Sequence, residues 1–343
     1  MRIFNVMMSR SLGGIQQAYL SYHEALKVQE HEVINISSFG AKINTQLQSN
    51  KTLLNIAPWC LLSKIYMGIL IAIYKPDLII CHGNRAVSFS IAFRPKQLPL
   101  IGVSHNYSYK YLKKCDYVIT LTNKLKEHLI LHGLDSERLL SIPNMTRITH
   151  DYQPTSYKIP VIIGSFGRFV AKKGFQYLIE SINLLKQSGH NVRLLLGGDG
   201  EGKAMLVEKI SELQIENEVT FCNWVNDKDA FFKQIDIFCL PSTIEPFGII
   251  LLEAIAHSKP IISTKSGGPE EIIRNNVDGL LAEIASGKDL ANKLQLVIND
   301  QKMAKQLTQS AYLKLKENYD IKVVSGKLSK ILSKVIKNKC QFQ

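Results

Sequence analysis

Apolar positions along this chain alternate between two rhythms. Short β-branched runs recur, and between them lie longer stretches with apolar residues three and four apart. RIFNVMM (2–8) reads as a strand, IQQAYLSYHEALKVQ (15–29) as an amphipathic helix and HEVINIS (31–37) as a second strand. DLIICH (77–82), PLIGVSH (99–105) and DYVITLT (116–122) continue the series, with helical stretches between most of them. Runs apolar at nearly every position suit strands covered on both faces, and helices between strands make the sheet parallel. The rhythm lapses over NMTRITHDYQPTSYKIP (144–160), which is polar and carries two prolines. A second series follows: VIIGSFG (161–167), a helix at 175–189, VRLLLGG (192–198), VTFCNW (219–224), IDIFCLP (235–241) and PIIST (260–264).

The predicted fold is therefore α/β, with two Rossmann-like doubly wound domains at 1–157 and 158–318 and a helical tail at 319–343. In such sheets ligands gather outside the carboxyl ends of the strands. With two domains, the expected site is the cleft across which they face each other.

One stretch is apolar beyond this pattern. APWCLLSKIYMGILIAIY (57–74) is interrupted by Lys64, and only ten residues separate Lys64 from Lys75, too few to cross a bilayer. A buried helix is the favoured reading, and a helix lying in a membrane interface the alternative.

Composition adds bounds. The 343 residues are 45% hydrophobic, enough for two cores, and carry no low-complexity tract. Six cysteines (60, 81, 115, 222, 239 and 340) form no CxxC pair and read as reduced thiols of a cytoplasmic protein. The N-terminus lacks the apolar core and cleavage site of a signal peptide. The net charge of +13 is unevenly spread. Residues 1–157 hold 17 cations against 9 acids, residues 158–318 hold 19 of each, and the tail holds 6 against 1. The first half and the tail thus call for an anionic partner: a phospholipid surface, a phosphorylated lipid or nucleic acid. A merely solubilising surface is the alternative.

The candidate chemistry falls just after strands. SLGGIQQ puts Gly13 and Gly14 between strand and helix, where a tight turn and a helix N-terminus suit an anion, although a GG pair alone is only a turn. GRFVAKKG (167–174) puts Arg168 and Lys173 at a strand end, two cations suited to a diphosphate. GGDG (197–200), with Gly198, is by itself a turn. STIEPFGIILLE (242–253) sets Glu245 before and Glu253 within a helix expected to start near Phe247 and Gly248. A carboxylate such as Glu253 can accept hydrogen bonds from paired ribose hydroxyls, or can serve as an internal ion pair.

Together these segments resemble a retaining glycosyltransferase of the GT-B fold, family four (glycosyl transferases group 1). EPFGIILLE matches the family's E-x7-E signature, GRFVAKKG its G-R-x4-K-G loop, SLGGIQQAYLSYHEALKVQEHEV its opening glycine loop, helix and strand, and SGGPEEIIRNNVDGLL its GG-x-x-E-I segment. The likeness covers about residues 1–320. It implies that Arg168 and Lys173 hold the donor's diphosphate, Glu253 the ribose hydroxyls and Glu245 the donor sugar. It places the backbone of Phe247 and Gly248 at sugar or phosphate, Gly13 and Gly14 beside phosphate and acceptor, and His105 (in GVSHNY) near the transferred sugar. His82, in IICHGN, supports a strand end. The implied activity is transfer of a sugar from a nucleotide-diphosphate sugar to a glycan or lipid-linked acceptor, in cell-envelope polysaccharide or lipopolysaccharide synthesis, with no metal or other cofactor. The resemblance also implies that the tail docks on the first domain. Placement is expected to be cytoplasmic, with a peripheral contact at an anionic membrane. One departure stands out: IPNMTR (142–147) carries Met145 and Arg147 where the family has a glycine and an acid.

Three rivals are weaker. An oxidoreductase needs G-x-G-x-x-G after the first strand, which SLGGIQQ lacks. A nucleic-acid partner is not expected, for lack of aromatic-basic interleaving. A catalytically silent glycosyltransferase-like subunit fits all but the intact site residues. The single D-x-D, Asp227-Lys-Asp229, reads as an acidic helix start and not as a metal site.

Overall fold

The computed structural model describes residues 1–340 apart from 11, 12, 48, 49, 56, 58, 59 and 155, with the backbone alone at 339 and 340. Ser11 and Leu12 of the glycine turn, Pro58 and Trp59 of the apolar stretch, Thr155 of the linker and the end of the tail thus lie outside the described residues. The chain forms two compact units: Met1–Arg147 with Tyr319–Gln343, and Ile148–Asn318.

The first unit runs β1 (Arg2–Met7), α1 (Gly14–Val28), β2 (Glu32–Ser38), β3 (Asn50–Leu53), α2 (Leu61–Tyr74), β4 (Leu78–His82), α3 (Asn84–Ile91), β5 (Leu100–Ser104), β6 (Tyr117–Thr120), α4 (Asn123–Leu131) and β7 (Leu139–Ser141). These strands form one sheet in the order β3-β2-β1-β4-β5-β6-β7, with every pair parallel. Strands β1, β4 and β5 are buried at almost every position, as their unbroken apolar runs require.

The second unit runs β8 (Val161–Phe166), α5 (Phe175–Gln187), β9 (Val192–Gly197), α6 (Lys203–Glu212), β10 (Val219–Cys222), α7 (Lys228–Lys233), β11 (Ile237–Leu240), α8 (Ile249–Ala256), β12 (Ile261–Thr264), α9 (Gly268–Ile272), β13 (Leu280–Ala282), α10 (Gly287–Asn299) and α11 (Gln301–Asn318). Its sheet is also parallel, in the order β10-β9-β8-β11-β12-β13. Its core packs Leu178, Ile179 and Ile182 of α5 and Leu290 and Leu294 of α10 against the sheet.

The division falls at Arg147/Ile148, ten residues before the boundary drawn from the sequence at 157/158. The polar segment is anchored in the second unit: Tyr157 packs on its core, and the Gln153 amide donates to Ser258 Oγ at 3.0 Å. Met145 and Arg147 are absorbed by the first unit. Met145 is fully buried, and Arg147 pairs with Glu24 of α1.

The last helix, α12 (Ile321–Cys340), belongs to the first unit. Ile321, Val324, Leu328, Leu332 and Val335, spaced three and four apart, are all buried, and the helix packs on α1. Ser325 Oγ accepts from Gln29 Nε2 at 3.1 Å, and Ser329 Oγ lies 2.9 Å from His31 Nε2. Lys322, Lys327, Lys330, Lys334 and Lys337 face water. The favoured expectation for α2 fails in the opposite direction. Only Ser63, Met67, Leu70 and Ile71 of that helix are buried, and its other apolar side chains are largely exposed. A helix apolar all round has more apolar surface than one sheet face can cover.

Candidate active site

In the second unit β8 and β11 are neighbours, and chain order reverses between them. This is the switch point at which an open parallel sheet offers a crevice. The loop leaving β8 carries Arg168 and a single 3-10 turn, Ala171–Lys173. The loop leaving β11 carries Ser242 and Glu245. The two loops meet: Lys173 Nζ lies 2.6 Å from Glu245 Oε2, and the Thr243 amide donates to Lys172 O at 2.8 Å. The Lys173 and Glu245 side chains are only 21% and 12% exposed. Ser242 Oγ donates to the same carboxylate oxygen at 3.3 Å. Backbone bonds on both sides hold Glu245, whose amide donates to Ser266 O at 2.9 Å and whose carbonyl accepts from Gly268 N at 2.7 Å. Arg168 is exposed and makes no side-chain hydrogen bond or ion pair among the described residues.

Gly198 buttresses this loop. Its φ is +135°, and a Cβ there would sit 1.9 Å from Gly167 O. The close approach lets Phe169 N donate to Asp199 O at 2.9 Å and Gly202 N to Phe169 O at 2.9 Å. Gly198 therefore acts by letting the β9 loop press against the Arg168 loop.

Helix α8 starts two residues later than expected, with Gly248 as its N-cap at φ +90°. Phe247 is almost wholly buried, with its backbone packed against Gly268, where an added Cβ would lie 2.3 Å from its Cα. Glu253 is the sole acid on an otherwise apolar helix, and its side chain is 9% exposed. A carboxylate so placed needs a partner. Lys228 Nζ supplies it, 2.5 Å from Oε1, while Oε2 has no hydrogen-bond partner among the described residues. The internal ion pair considered for Glu253 is thus present, and one oxygen remains for a hydroxyl.

Lys228 was missed by sequence reasoning, although it is the middle residue of the D-x-D. Of the flanking acids, Asp227 caps α7 by accepting from Ala230 N at 2.9 Å. Asp229 does something else: its Oδ1 lies 2.7 Å from His257 Nε2, and that bond holds the Asp229 carboxyl below the usual carboxylate range. His257 Nδ1 in turn donates to Glu253 O at 2.8 Å. His150, Asp229 and His257 bring three potential ligand atoms within 4.8 Å of one another.

In the first unit Gly13 caps α1 in extended conformation, Gly14 is the first helical residue, and no acid stands in the first turn. His105 follows β5. Its Nε2 lies 2.9 Å from His82 Nδ1, and His82 Nε2 lies 3.0 Å from Asn5 Oδ1. The Asn5 oxygen can only accept, which fixes the tautomers. His82 donates to Asn5 from Nε2, so its Nδ1 accepts from His105 Nε2–H. Asn5 Nδ2 donates onward to Asn35 Oδ1 at 3.2 Å, and Asn35 Nδ2 to His23 Nδ1 at 2.9 Å. This directed chain crosses four strands and leaves His105 Nδ1 as the open end. Burial keeps both rings neutral: it lowers His105 to about 3 and His82 well below the usual range, the latter also through its histidine neighbour.

The site now has relatives to compare with. Residues 147–314 match the model of the family described as "Glycosyl transferases group 1". The chain is 30% identical over 248 residues to the lipopolysaccharide core biosynthesis glycosyltransferase LpsE of Rhizobium meliloti, covering 69% of this chain and 70% of that one. This chain belongs to the glycosyl transferases group 1 family. The glycosyltransferase is also 31% identical over 183 residues to the N,N'-diacetylbacillosaminyl-diphospho-undecaprenol alpha-1,3-N-acetylgalactosaminyltransferase of Campylobacter jejuni, over 53% of this chain and 46% of that one. Among solved structures it is similar to Alr3699/HepE of Anabaena, determined in complex with UDP and glucose, with a TM-score of 0.84 and 20% identity over 97% of this chain and all of the other. The fold is GT-B, with two Rossmann-like units.

Proposed function

We propose that this glycosyltransferase moves a sugar, with retention at the anomeric carbon, from a nucleotide-diphosphate sugar to a hydroxyl of a glycan or lipid-linked acceptor in cell-envelope polysaccharide or lipopolysaccharide synthesis. The observation that carries the reading is the Lys173–Glu245 pair at the β8/β11 switch point, in a loop that also carries the exposed Arg168, whose side chain has no hydrogen-bond or ion-pair partner among the described residues. The names of the relatives support the acceptor class: lipopolysaccharide core for one and an undecaprenyl diphosphate-linked sugar for another. The UDP and glucose bound to the Anabaena protein support the donor class.

In this mechanism the donor lies on the second unit. Its diphosphate draws Lys173 and Arg168, and its ribose hydroxyls donate to Glu253 Oε2. As the glycosidic bond breaks, negative charge grows on the departing phosphate oxygen. Fixed cations next to that atom stabilise it without rearranging, which is how preorganised electrostatics lowers a barrier. The two cations supply the charge a divalent ion would otherwise bring, so we assign the step no metal. Glu245 orients the lysine and takes up hydroxyls of the sugar. The acceptor lies with the first unit, near the α1 N-terminus and His105, whose Nδ1 is available to a hydroxyl. Placement in the cytoplasm, with the first unit at the membrane face, follows from such an acceptor.

The test pairs binding with turnover. UDP-, GDP- and ADP-sugars are screened by thermal shift on the wild type and on Arg168→Ala. Because the exposed Arg168 side chain makes no hydrogen bond or ion pair among the described residues, the variant is expected to keep its stability within about 0.5 kcal/mol and to lose the shift, with transfer down by about 100-fold. An unchanged donor shift and unchanged nucleotide diphosphate release in Arg168→Ala would refute the assignment.

A further inference from the structure

The outward face of α2 is apolar from end to end. Leu61, Leu62, Ile65, Tyr66, Ile69 and Ile73 recur at helical spacing, and Leu61, Leu62 and Ile73 are 62%, 67% and 65% exposed. Phe93, 52% exposed, extends the patch, because its side chain lies over Gly68 of the same helix. Isolated exposed leucines need no explanation, but a continuous row of this kind does. At 14 residues the helix is too short to span a bilayer, and no helix among the described residues is long and apolar enough to do so.

Cations outnumber acids around the patch, and the acids close by are engaged: Asp116 with Arg94 at 2.6 Å and Glu32 with Arg2 at 2.8 Å. Residues 33–115 contain ten lysines and arginines and a single acid, Asp77, whose carboxylate accepts from the Arg2 amide. Lys64 lies on α2, Lys75 is its C-cap in left-handed conformation, and Lys51 of β3 lies over the ring of Tyr74. An apolar face bounded by lysines is the pattern of a helix resting in the headgroup layer of an anionic membrane. Pairing of two copies through this face is disfavoured by the same charges, since a two-fold interface sets the lysine rim of one against that of the other.

We propose that α2 and Phe93 form a membrane-docking face that seats the first unit on an anionic phospholipid surface, with Leu61, Leu62, Ile65, Tyr66, Ile69 and Ile73 entering the interface and Lys51, Lys64 and Lys75 meeting phosphates. The basic tail cannot replace it as an anchor, because the apolar side of α12 is already buried on α1. The proposal extends the lipid-linked acceptor reading, but its test uses neither donor nor acceptor, so each can fail without the other.

The experiment is co-sedimentation of the full chain with vesicles of phosphatidylglycerol and phosphatidylethanolamine, and with phosphatidylcholine vesicles, at low and high salt. The wild type is expected to bind the anionic vesicles and to bind less at high salt. Ile65→Glu/Ile69→Glu changes only exposed positions, and its Tm and far-UV circular dichroism report that it remains folded. It is expected to lower vesicle binding by about tenfold or more. Lys51→Glu/Lys75→Glu is expected to abolish the preference for anionic lipid while leaving the residual apolar affinity. Wild-type failure to bind anionic vesicles, or equal binding by Ile65→Glu/Ile69→Glu, overturns the proposal. So does a wild-type dimer in light scattering that the same double variant converts to monomer, since the face would then belong to a second copy.

Discussion

The Lys173–Glu245 pair invites the most demanding test, because the same two side chains are asked to serve the fold and the reaction. At 2.6 Å and an effective dielectric constant of about 20, the Coulomb attraction is about 6 kcal/mol. Desolvating both groups offsets most of it. With side chains 21% and 12% exposed, the pair falls between a surface bridge and a buried one. Lys173→Met is therefore expected to cost about 2 kcal/mol, leaving Glu245 with only the weak donor Ser242 in a nearly closed site. Glu245→Gln is expected to cost a similar amount. The double variant removes both charges, and its loss should fall short of the sum by about 1–2 kcal/mol. Urea unfolding of the four proteins reads these values, and donor turnover on the same preparations reads the chemistry. Turnover should behave differently. Lys173→Met loses phosphate stabilisation worth about 100-fold or more, and pairing it with Glu245→Gln restores stability without restoring rate. Additive stability losses would mean that the two side chains are not coupled. A double variant as fast as Glu245→Gln alone would mean that Lys173 does nothing for the donor.

Two further predictions probe neighbouring parts. Lys228→Met should free Glu253 and leave a carboxylate 9% exposed without its partner, lowering stability by about 1–3 kcal/mol and weakening uridine diphosphate binding in calorimetry; unchanged binding would separate Glu253 from the ribose. The His82–His105 pair should make the first unit acid-sensitive. Both pKa values are lowered on folding, so the unfolded chain takes up protons first, and stability is complete above pH 6.5 and falls as pH drops from there towards about 3. Urea unfolding at pH 7.5 and 4.5 should show a loss of about 2–3 kcal/mol for each histidine, so about 5 kcal/mol for the pair and about half that in His82→Gln; an equal loss in the variant would exonerate the pair. Asp229 cannot mimic this effect, because its lowered carboxyl contributes only below about pH 4.

The sequence was most informative where local and global signals agreed. Strands β1, β4, β5, β8 and β9 were legible because strands covered on both faces are apolar throughout, and α1 and α5 because their apolar stripes have helical period. Strands β3, β7 and β13 were not singled out. β7 and β13 have only three residues each, and β3, NKTL, is polar at three of its four positions. In the site, residues standing directly after strands could be found from sequence, because a parallel sheet concentrates its chemistry there. Lys228 and the Asn5–Asn35 chain could not, since a partner 25 residues away and an asparagine facing its neighbour across the sheet leave no trace in spacing.

The two helices α2 and α12 mark where reading by pattern stops. Each carries apolar residues at helical spacing and lysines among them, and the sequence favoured burial for the first and offered the second as the basic element at the membrane. The structure leaves most of the apolar surface of α2 exposed and docks α12 on the first unit, as the resemblance implied. For α12, the face of α1 accepts the apolar stripe from Ile321 to Val335, and the exposed side carries mainly lysines, with Val323 among them. For α2, the first unit's core takes Met67, Leu70 and Ile71, while Leu62, Ile65, Ile69 and Ile73 stay exposed among the described residues. Apolar periodicity states that a helix has a face to bury. Which partner buries it depends on what the rest of the fold leaves uncovered: α12 meets α1 along its apolar stripe, whereas α2 meets α3 and β3 on one side and leaves its other apolar side exposed.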